Sequence, residues 1–126
     1  AAAGTGLPFL VSFVCDASGR LPSGESLADA LAEVAAFDPV AVGVNCLPPP
    51  AVSACLPALA GSGLPFGVYA NLGAPSEDGG FARSDDCSPH DFARFATSWI
   101  EAGARFAGGC CGTDPSHIRA LADALS

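Results

Sequence analysis

A chain of 126 residues, half of them hydrophobic, is long enough to bury the core of one domain and too apolar for a disordered segment. Five basic residues against thirteen acidic ones leave a net charge of −8 with no Lys/Arg cluster to neutralise phosphates, which excludes nucleic acid as a partner. The apolar stretch around Leu7 to Cys15 is far too short to cross a bilayer and no charged region precedes it, so neither a membrane span nor a signal peptide is expected.

Taken in chain order, Leu7 to Val14 reads as a strand covered on both faces, with Val11, Phe13 and Val14 in a continuous apolar run. A loop marked by Asp16, Gly19, Pro22 and Gly24 follows. Ser26, three residues ahead of Asp29, then caps a helix whose Leu27, Leu31 and Val34 recur along one face. Val40 to Val44 is a second buried strand ending at Asn45 and Cys46. Pro48 to Pro50 open a helix carrying Val52, Leu56 and Leu59, which Pro57 kinks or shortens. Phe66 to Ala70 is a third strand, and Asn71 to Cys87 is a long polar loop of the kind that is functional or disordered. Ser88, Pro89 and Asp91 start a helix with Phe92, Phe95, Ala96 and Trp99 on its inner face. Ala104 to Ala107 is the fourth strand, and Asp114-Pro115 caps a last helix with Ile118, Leu121 and Leu125 buried.

Strand and helix thus alternate four times, which requires a parallel sheet and, with right-handed crossovers, places every strand-to-helix loop on one side. Cys46 follows the second strand, and Cys110 and Cys111 follow the fourth, so both motifs fall on the side where βα folds build their sites. In a curved sheet, strands two places apart can aim ligands at one point. Three soft thiolates converging in this way suggest zinc with a coordination position to spare.

Other readings of the thiols stand beside that one. A Cys110–Cys111 disulfide would be strained, because neighbouring Cα atoms lie about 3.8 Å apart, short of the usual range. Two adjacent strand residues point to opposite faces, so they can share an ion only where the strand breaks into a turn, which Gly108, Gly109 and Gly112 permit. The alternative is a glycine-rich strand end holding inert thiols. Cys15, just past the first strand, could close the site as a fourth ligand and make the metal structural; Cys55 reads as a core residue. Cys87 in the long loop is incidental or redox-sensitive. A disulfide scaffold in a secreted domain is a distant alternative, since the strand-helix core needs no staples and a reducing cytoplasm suits six cysteines better.

The segments Gly43-Val44-Asn45-Cys46, Val68-Tyr69-Ala70-Asn71-Leu72-Gly73 and Gly108-Gly109-Cys110-Cys111-Gly112-Thr113-Asp114-Pro115-Ser116-His117-Ile118, in this order and separation, together resemble the homocysteine S-methyltransferase family. Ser12-Phe13 and the run from Gly19 to Leu27 are similar to it as well, so the resemblance covers nearly the whole chain. It implies a (β/α)8 barrel and zinc-dependent transfer of a methyl group to the thiol of homocysteine, giving methionine. It also implies that Cys46, Cys110 and Cys111 are the three protein ligands. A complete barrel needs about 250 residues, so the four βα units read as one homocysteine-binding-type domain portion, the C-terminal half of a barrel. The glycine-rich first-strand loop and the acidic residues that hold the substrate amino group in the family have no counterpart here. Unpaired edge strands point to an oligomer or to an N-terminal half-barrel as partner.

For such a site the three thiolates and an incoming substrate thiolate would make a dianionic tetrahedral centre that keeps the bound sulfur nucleophilic. Analogy favours an S-methyl sulfonium donor such as S-methylmethionine or S-adenosylmethionine. The pattern places Asn71 and Asn45 as substrate-binding candidates, with turn formation as the plain alternative for each. No residue is assigned as an acid or base, because positioning and water exclusion suffice for methyl transfer. His90 and His117 read as solvated first-turn residues, His117 with a possible supporting role beside the cysteine turn. Asp85 and Asp86 read as a solvated acidic pair. The other class of function open to the sequence is a non-catalytic zinc-binding half-barrel.

Overall fold

The computed structural model describes residues 2–75, 81–82 and 87–126. Its main sheet has four strands: β1 (Leu10–Phe13), β2 (Ala41–Leu47), β3 (Phe66–Ala70) and β6 (Phe106–Gly109). They lie side by side in that order and every pairing is parallel. The helices α1 (Leu27–Ala35), α2 (Leu56–Gly61), α3 (Pro89–Glu101) and α4 (Pro115–Leu125) alternate with them. The architecture is α/β and consistent with half of a (β/α)8 barrel, as an open four-stranded sheet.

Strand residues of alternating parity divide the sheet into two faces. Val42, Val44, Phe66, Val68 and Ala70 point toward the helices and share one core with Leu31, Leu59, Phe92, Ala96 and Trp99, all of them buried. The opposite face carries Ser12, Gly43, Asn45, Tyr69, Phe106 and Gly108 at matched register, with the Tyr69 and Phe106 rings 5.7 Å apart. Three of the four helices, all but α2, begin where a short polar side chain accepts from an otherwise unpaired backbone N–H. Ser26 accepts from Asp29 at α1, Ser88 from Asp91 at α3, and Asp114 from Ser116 at α4.

Several expectations need correction. β1 is not covered on both faces: it is shorter than the expected span of Leu7 to Val14 and lies at the sheet edge, with Leu10 and Val14 exposed. β2 starts one residue late, leaving Val40 exposed, and runs on through Asn45 and Cys46. The proline-opened helix splits into a 3-10 turn (Pro49–Ala54) and α2, because Pro57 lacks an N–H and its ring would clash with the carbonyl four residues back; it is accommodated only in the first turn of α2. Within the expected loop, β4 (Ala74–Pro75) and β5 (Phe81–Ala82) form a short antiparallel ladder; Asp85 and Asp86 lie outside the described residues. The last strand is displaced from Ala104–Ala107 to Phe106–Gly109, which brings Cys110 directly to its end.

The last helix also turns differently from its expected face. Ile118 and Leu125 are 44% and 45% exposed, while Leu121 and His117 are buried. α4 rests on α3 and β6, and positions four apart share the stripe that meets them, so His117 and Leu121 define the contact and Ile118 lies a step around it. His117 is therefore not solvated; its ring meets Phe92 edge-on with centroids 5.8 Å apart. His90 is exposed, in keeping with its reading. Replacing Phe92 with Ala should cost about 3–5 kcal/mol of unfolding free energy, whereas Ile118→Ala should stay within about 0.5 kcal/mol; urea denaturation of both variants decides the matter, and equal losses would contradict the assigned face.

Candidate functional site

The thiols of Cys46, Cys110 and Cys111 all lie within 4.8 Å of one another, the one group of three or more potential metal-ligating side chains found among the described residues. Sulfur to sulfur, Cys46 and Cys110 are 2.8 Å apart and Cys110 and Cys111 are 3.9 Å apart. All six cysteines are free thiols. Cys46 and Cys110 are half-buried and Cys111 is exposed, so the group opens to solvent on the Cys111 side.

Cys46 reaches this point through an irregularity in β2. The β2–β3 register steps from Asn45 opposite Tyr69 directly to Leu47 opposite Ala70, so Cys46 is an extra residue, a β-bulge. It has φ +57°, a left-handed conformation that costs a non-glycine residue roughly 1–2 kcal/mol. The bulge performs two tasks at once. Leu47 returns to the core side of the sheet, where it is 2% exposed, and the Cys46 thiol is released from the pleat toward the strand end.

Cys110 and Cys111 sit in a turn fastened to the end of β3. Cys110 N–H donates to the Ala70 carbonyl and Leu72 N–H to the Cys111 carbonyl, each at 2.8 Å. The Thr113 hydroxyl donates to the Cys110 carbonyl at 2.7 Å, closing the turn from the α4 side. Gly112 has φ +77° and presses against the Leu72 carbonyl, where a Cβ would overlap the oxygen. Only glycine meets both demands. Directly beyond, the Asp114 carboxylate lies 3.0 Å from His117 Nδ1, and Asp114 N–H donates to the same nitrogen at 3.3 Å, so the buried histidine braces the start of α4.

Two asparagines flank the cluster. Asn71, 7% exposed, donates from Nδ2 to the Gly73 carbonyl, while its Oδ1 is buried and without a hydrogen-bond partner among the described residues. An orphaned buried acceptor carries a cost of about 1–3 kcal/mol, which a donor arriving with a ligand would relieve. Asn45 Oδ1 accepts from the Ser12 hydroxyl at 2.6 Å across the β1–β2 pairing.

Electrostatics separate two thiol populations. The adjoining Cys110 thiol, and then burial, hold Cys46 above the ordinary thiol range, against hydrogen bonds from Asn45 and Cys111 that act to lower it. Cys15 and Cys55 form a second pair, both in the core. Burial and the Cys15 thiol push Cys55 up to about 12, and burial raises Cys15. Cys15 therefore faces Cys55 and lies outside the three-thiol group; Cys55 is a core residue as expected. Cys87 is half-buried, its thiol raised by burial and the Asp91 carboxylate.

The donor set fits a soft metal ion. Sulfurs 2.3 Å from a tetrahedral ion stand about 3.8 Å apart. The Cys110–Cys111 pair already has that spacing, and Cys46 would have to swing outward by about 1 Å from Cys110. Three thiols with no carboxylate among them match zinc and exclude a hard cation such as magnesium or calcium.

Fold and site together define a class: a parallel βα frame that gathers thiols at the carboxyl ends of its strands. The chain belongs to the homocysteine S-methyltransferase family, whose model matches residues 1–125. It is similar to homocysteine S-methyltransferase 3 of Arabidopsis thaliana, with 34% identity over 95% of this chain and 36% of that protein. It is also similar to homocysteine S-methyltransferase 1 of Zea mays, 39% identical over 90% of this chain and 38% of that protein. Selenocysteine Se-methyltransferase of Brassica oleracea var. italica is 31% identical over 91% of this chain and 34% of its own length. The chain spans about a third of the length of these curated relatives.

Two outcomes follow from the geometry. Cys46→Gly should unfold at higher urea than Cys46→Ala, by about 1 kcal/mol, because only alanine retains the left-handed strain; equal stability would contradict the assigned backbone. At pH 8, iodoacetamide should label Cys111 rapidly and leave Cys15 and Cys55 unmodified until the protein unfolds, as mass mapping would show. The sign for Cys55 is fixed by its upward shift: the protonated thiol favours the fold fully below about pH 9, and that contribution is lost as the pH rises toward about 12.

Proposed function

We propose that this chain provides the zinc-binding part of an enzyme that transfers a methyl group to the thiol of homocysteine, forming methionine. One observation carries the reading: three thiols from two different strand ends meet within 4.8 Å on the side of the sheet where βα folds place their chemistry. Cys46, Cys110 and Cys111 are the proposed metal ligands. Three protein donors leave a tetrahedral site with one open position, the signature of a catalytic rather than a structural zinc. Bound zinc would supply a Lewis acid that keeps the acceptor sulfur as its thiolate near neutral pH, where a free thiol with a pKa near 8.5 is mostly protonated.

The remaining work falls to the chain's own groups. Asn71 offers its unpartnered Oδ1 to a donor on the substrate, and Asn45 stands beside Cys46 at the neighbouring strand end. The braced turn from Cys110 to Thr113 holds two sulfurs at fixed separation, so the acceptor enters a preformed position. In the transfer itself the acceptor sulfur forms the new S–CH3 bond while the donor's C–S bond breaks. The electron pair of that bond stays on the donor sulfur, which leaves as a neutral thioether. No general base is required, and the rate comes from alignment and exclusion of water. The donor is an S-methyl sulfonium such as S-methylmethionine, with S-adenosylmethionine as the second choice. The rest of a barrel, from an N-terminal half or another copy, supplies the contacts to the amino acid portion. A reducing cytoplasm is the proposed setting, since it preserves free thiols; no helix among the described residues is long and apolar enough to cross a membrane.

Metal content decides the reading. The protein should bind one zinc per chain and lose it in Cys110→Ser, and homocysteine should perturb the charge-transfer spectrum of the cobalt-substituted form. Zinc that ignores homocysteine would leave a non-catalytic metal-binding module, and absence of stoichiometric zinc would overturn the proposal.

A further inference from the structure

We infer that His117 is a positioning residue for the metal turn, acting through Asp114 and Thr113: its ring, anchored among the helices, holds the turn that sets the Cys110 and Cys111 sulfurs apart. The inference rests on the proposed role of these two cysteines as ligands and extends the site to a residue beyond the turn itself.

Each link is a contact in the structure. His117 is 6% exposed and its ring meets Phe92 edge-on; Phe92, fully buried, meets Trp99 edge-on in turn, with centroids 6.0 Å apart. This file of three rings ties the histidine to α3. On its other side, Nδ1 is held by both polar groups of Asp114, the backbone N–H at 3.3 Å and the carboxylate at 3.0 Å. With Nδ1 bare the ring accepts from the N–H, and with Nδ1 protonated it donates to the carboxylate, so either form fixes residue 114. Its neighbour Thr113 is fixed with it. The Thr113 side chain folds back over Gly109, where a Cβ would overlap the hydroxyl. There the hydroxyl donates to the Cys110 carbonyl at 2.7 Å, and the Thr113 N–H donates to the same oxygen at 3.3 Å.

The choice of histidine points past helix capping. The third helical position of a capping box ordinarily carries Glu or Gln, and a glutamate here would bury a charge against Phe92 and beside the Asp114 carboxylate. Histidine combines a flat ring that packs on Phe92 with a nitrogen that reaches residue 114. The benefit falls on the thiols. The Cys110 and Cys111 sulfurs stand 3.9 Å apart, close to the spacing a tetrahedral ion needs, whereas the Cys46 sulfur must move outward by about 1 Å to share that ion. An ion drawing Cys46 into place pulls back on the other two thiolates, and a turn that yielded would lose its spacing. His117 passes that pull to the buried aromatic core shared with α3.

The test separates the nitrogen from the ring. His117→Phe keeps a ring against Phe92 and loses the polar atom; His117→Gln loses the ring and keeps an amide able to accept from the Asp114 N–H or donate to its carboxylate. Leu121→Ala, equally buried on the same stripe of α4, controls for lost packing. The variants are made in the whole protein and read by zinc affinity in chelator competition and by the spectrum of the cobalt-substituted form. In the metal-free protein, hydrogen exchange is followed at the Cys110 and Leu72 amides, which tie the turn to β3. His117→Phe should weaken zinc binding by about 10-fold, alter the cobalt spectrum and speed exchange at both amides. His117→Gln should restore all three toward wild type, and Leu121→Ala should leave zinc affinity and the cobalt spectrum unchanged. If the wild-type protein binds zinc and His117→Phe binds it equally, or if Leu121→Ala loses as much as His117→Phe, the positioning role is overturned while the metal site stands. A wild-type protein that binds neither zinc nor cobalt overturns the metal reading and this inference with it.

Discussion

The three residues Ala70, Asn71 and Leu72 are bonded on both flanks, and the site exists because of it. On one side Asn71 N–H donates to the Leu47 carbonyl, the residue just after the bulge. On the other, Cys110 N–H donates to the Ala70 carbonyl and Leu72 N–H to that of Cys111. The end of β3 is thus a splint between two loops that are 64 positions apart in the chain, and the thiols approach because their backbones are tied to a common strand. Separate β2 or β6 from β3 and the sulfurs lose their common reference. The buried core behind β3, with Val68 and Ala70 fully enclosed, keeps the splint from bending.

Around that splint the site is layered by what each group has to resist. Gly112 and Thr113 resist unwinding of the cysteine turn, and the Asp114–His117 contact resists fraying of α4 behind it. The bulge in β2 resists a register slip, since moving it by one residue would turn Leu47 to the solvent face and bring Cys46 back into the core. Buried apolar area therefore holds a strained cysteine in place. Strain kept where chemistry occurs and compensated elsewhere is a recurring arrangement in functional sites.

Much of this was legible in the sequence, for identifiable reasons. Short polar residues ahead of apolar periodic segments marked the caps at Ser26, Ser88 and Asp114, because capping is decided within four residues. The apolar runs of β2 and β3 announced a buried parallel sheet, and topology alone brought Cys46 and Cys110 to one side of it. What escaped depends on neighbours distant in sequence. Cysteine is not a residue that signals a left-handed bulge, so nothing local distinguished Cys46 from an ordinary strand end. The facing of Cys15 and Cys55 joins a loop to a helix start, and α4 shows Ile118 rather than His117 to solvent because α3 and β6 choose its inner face. The exposed Leu10 and Val14 follow from an edge position that a strand's own residues do not reveal.

The left-handed backbone at Cys46 also limits which side chains can take its place in the three-thiol group. Asparagine and aspartate enter that region several times more readily than most residues, while β-branched side chains are outliers there. A carboxylate is consequently admissible at position 46 on backbone grounds, and a mixed oxygen and sulfur site could be built from that single exchange. The cysteine turn, held by backbone hydrogen bonds and the Thr113 hydroxyl and not by the cysteine side chains, would keep the other two sulfurs where they are. The fold thus offers one adjustable position and two fixed thiols, and the adjustable position is the residue already under strain.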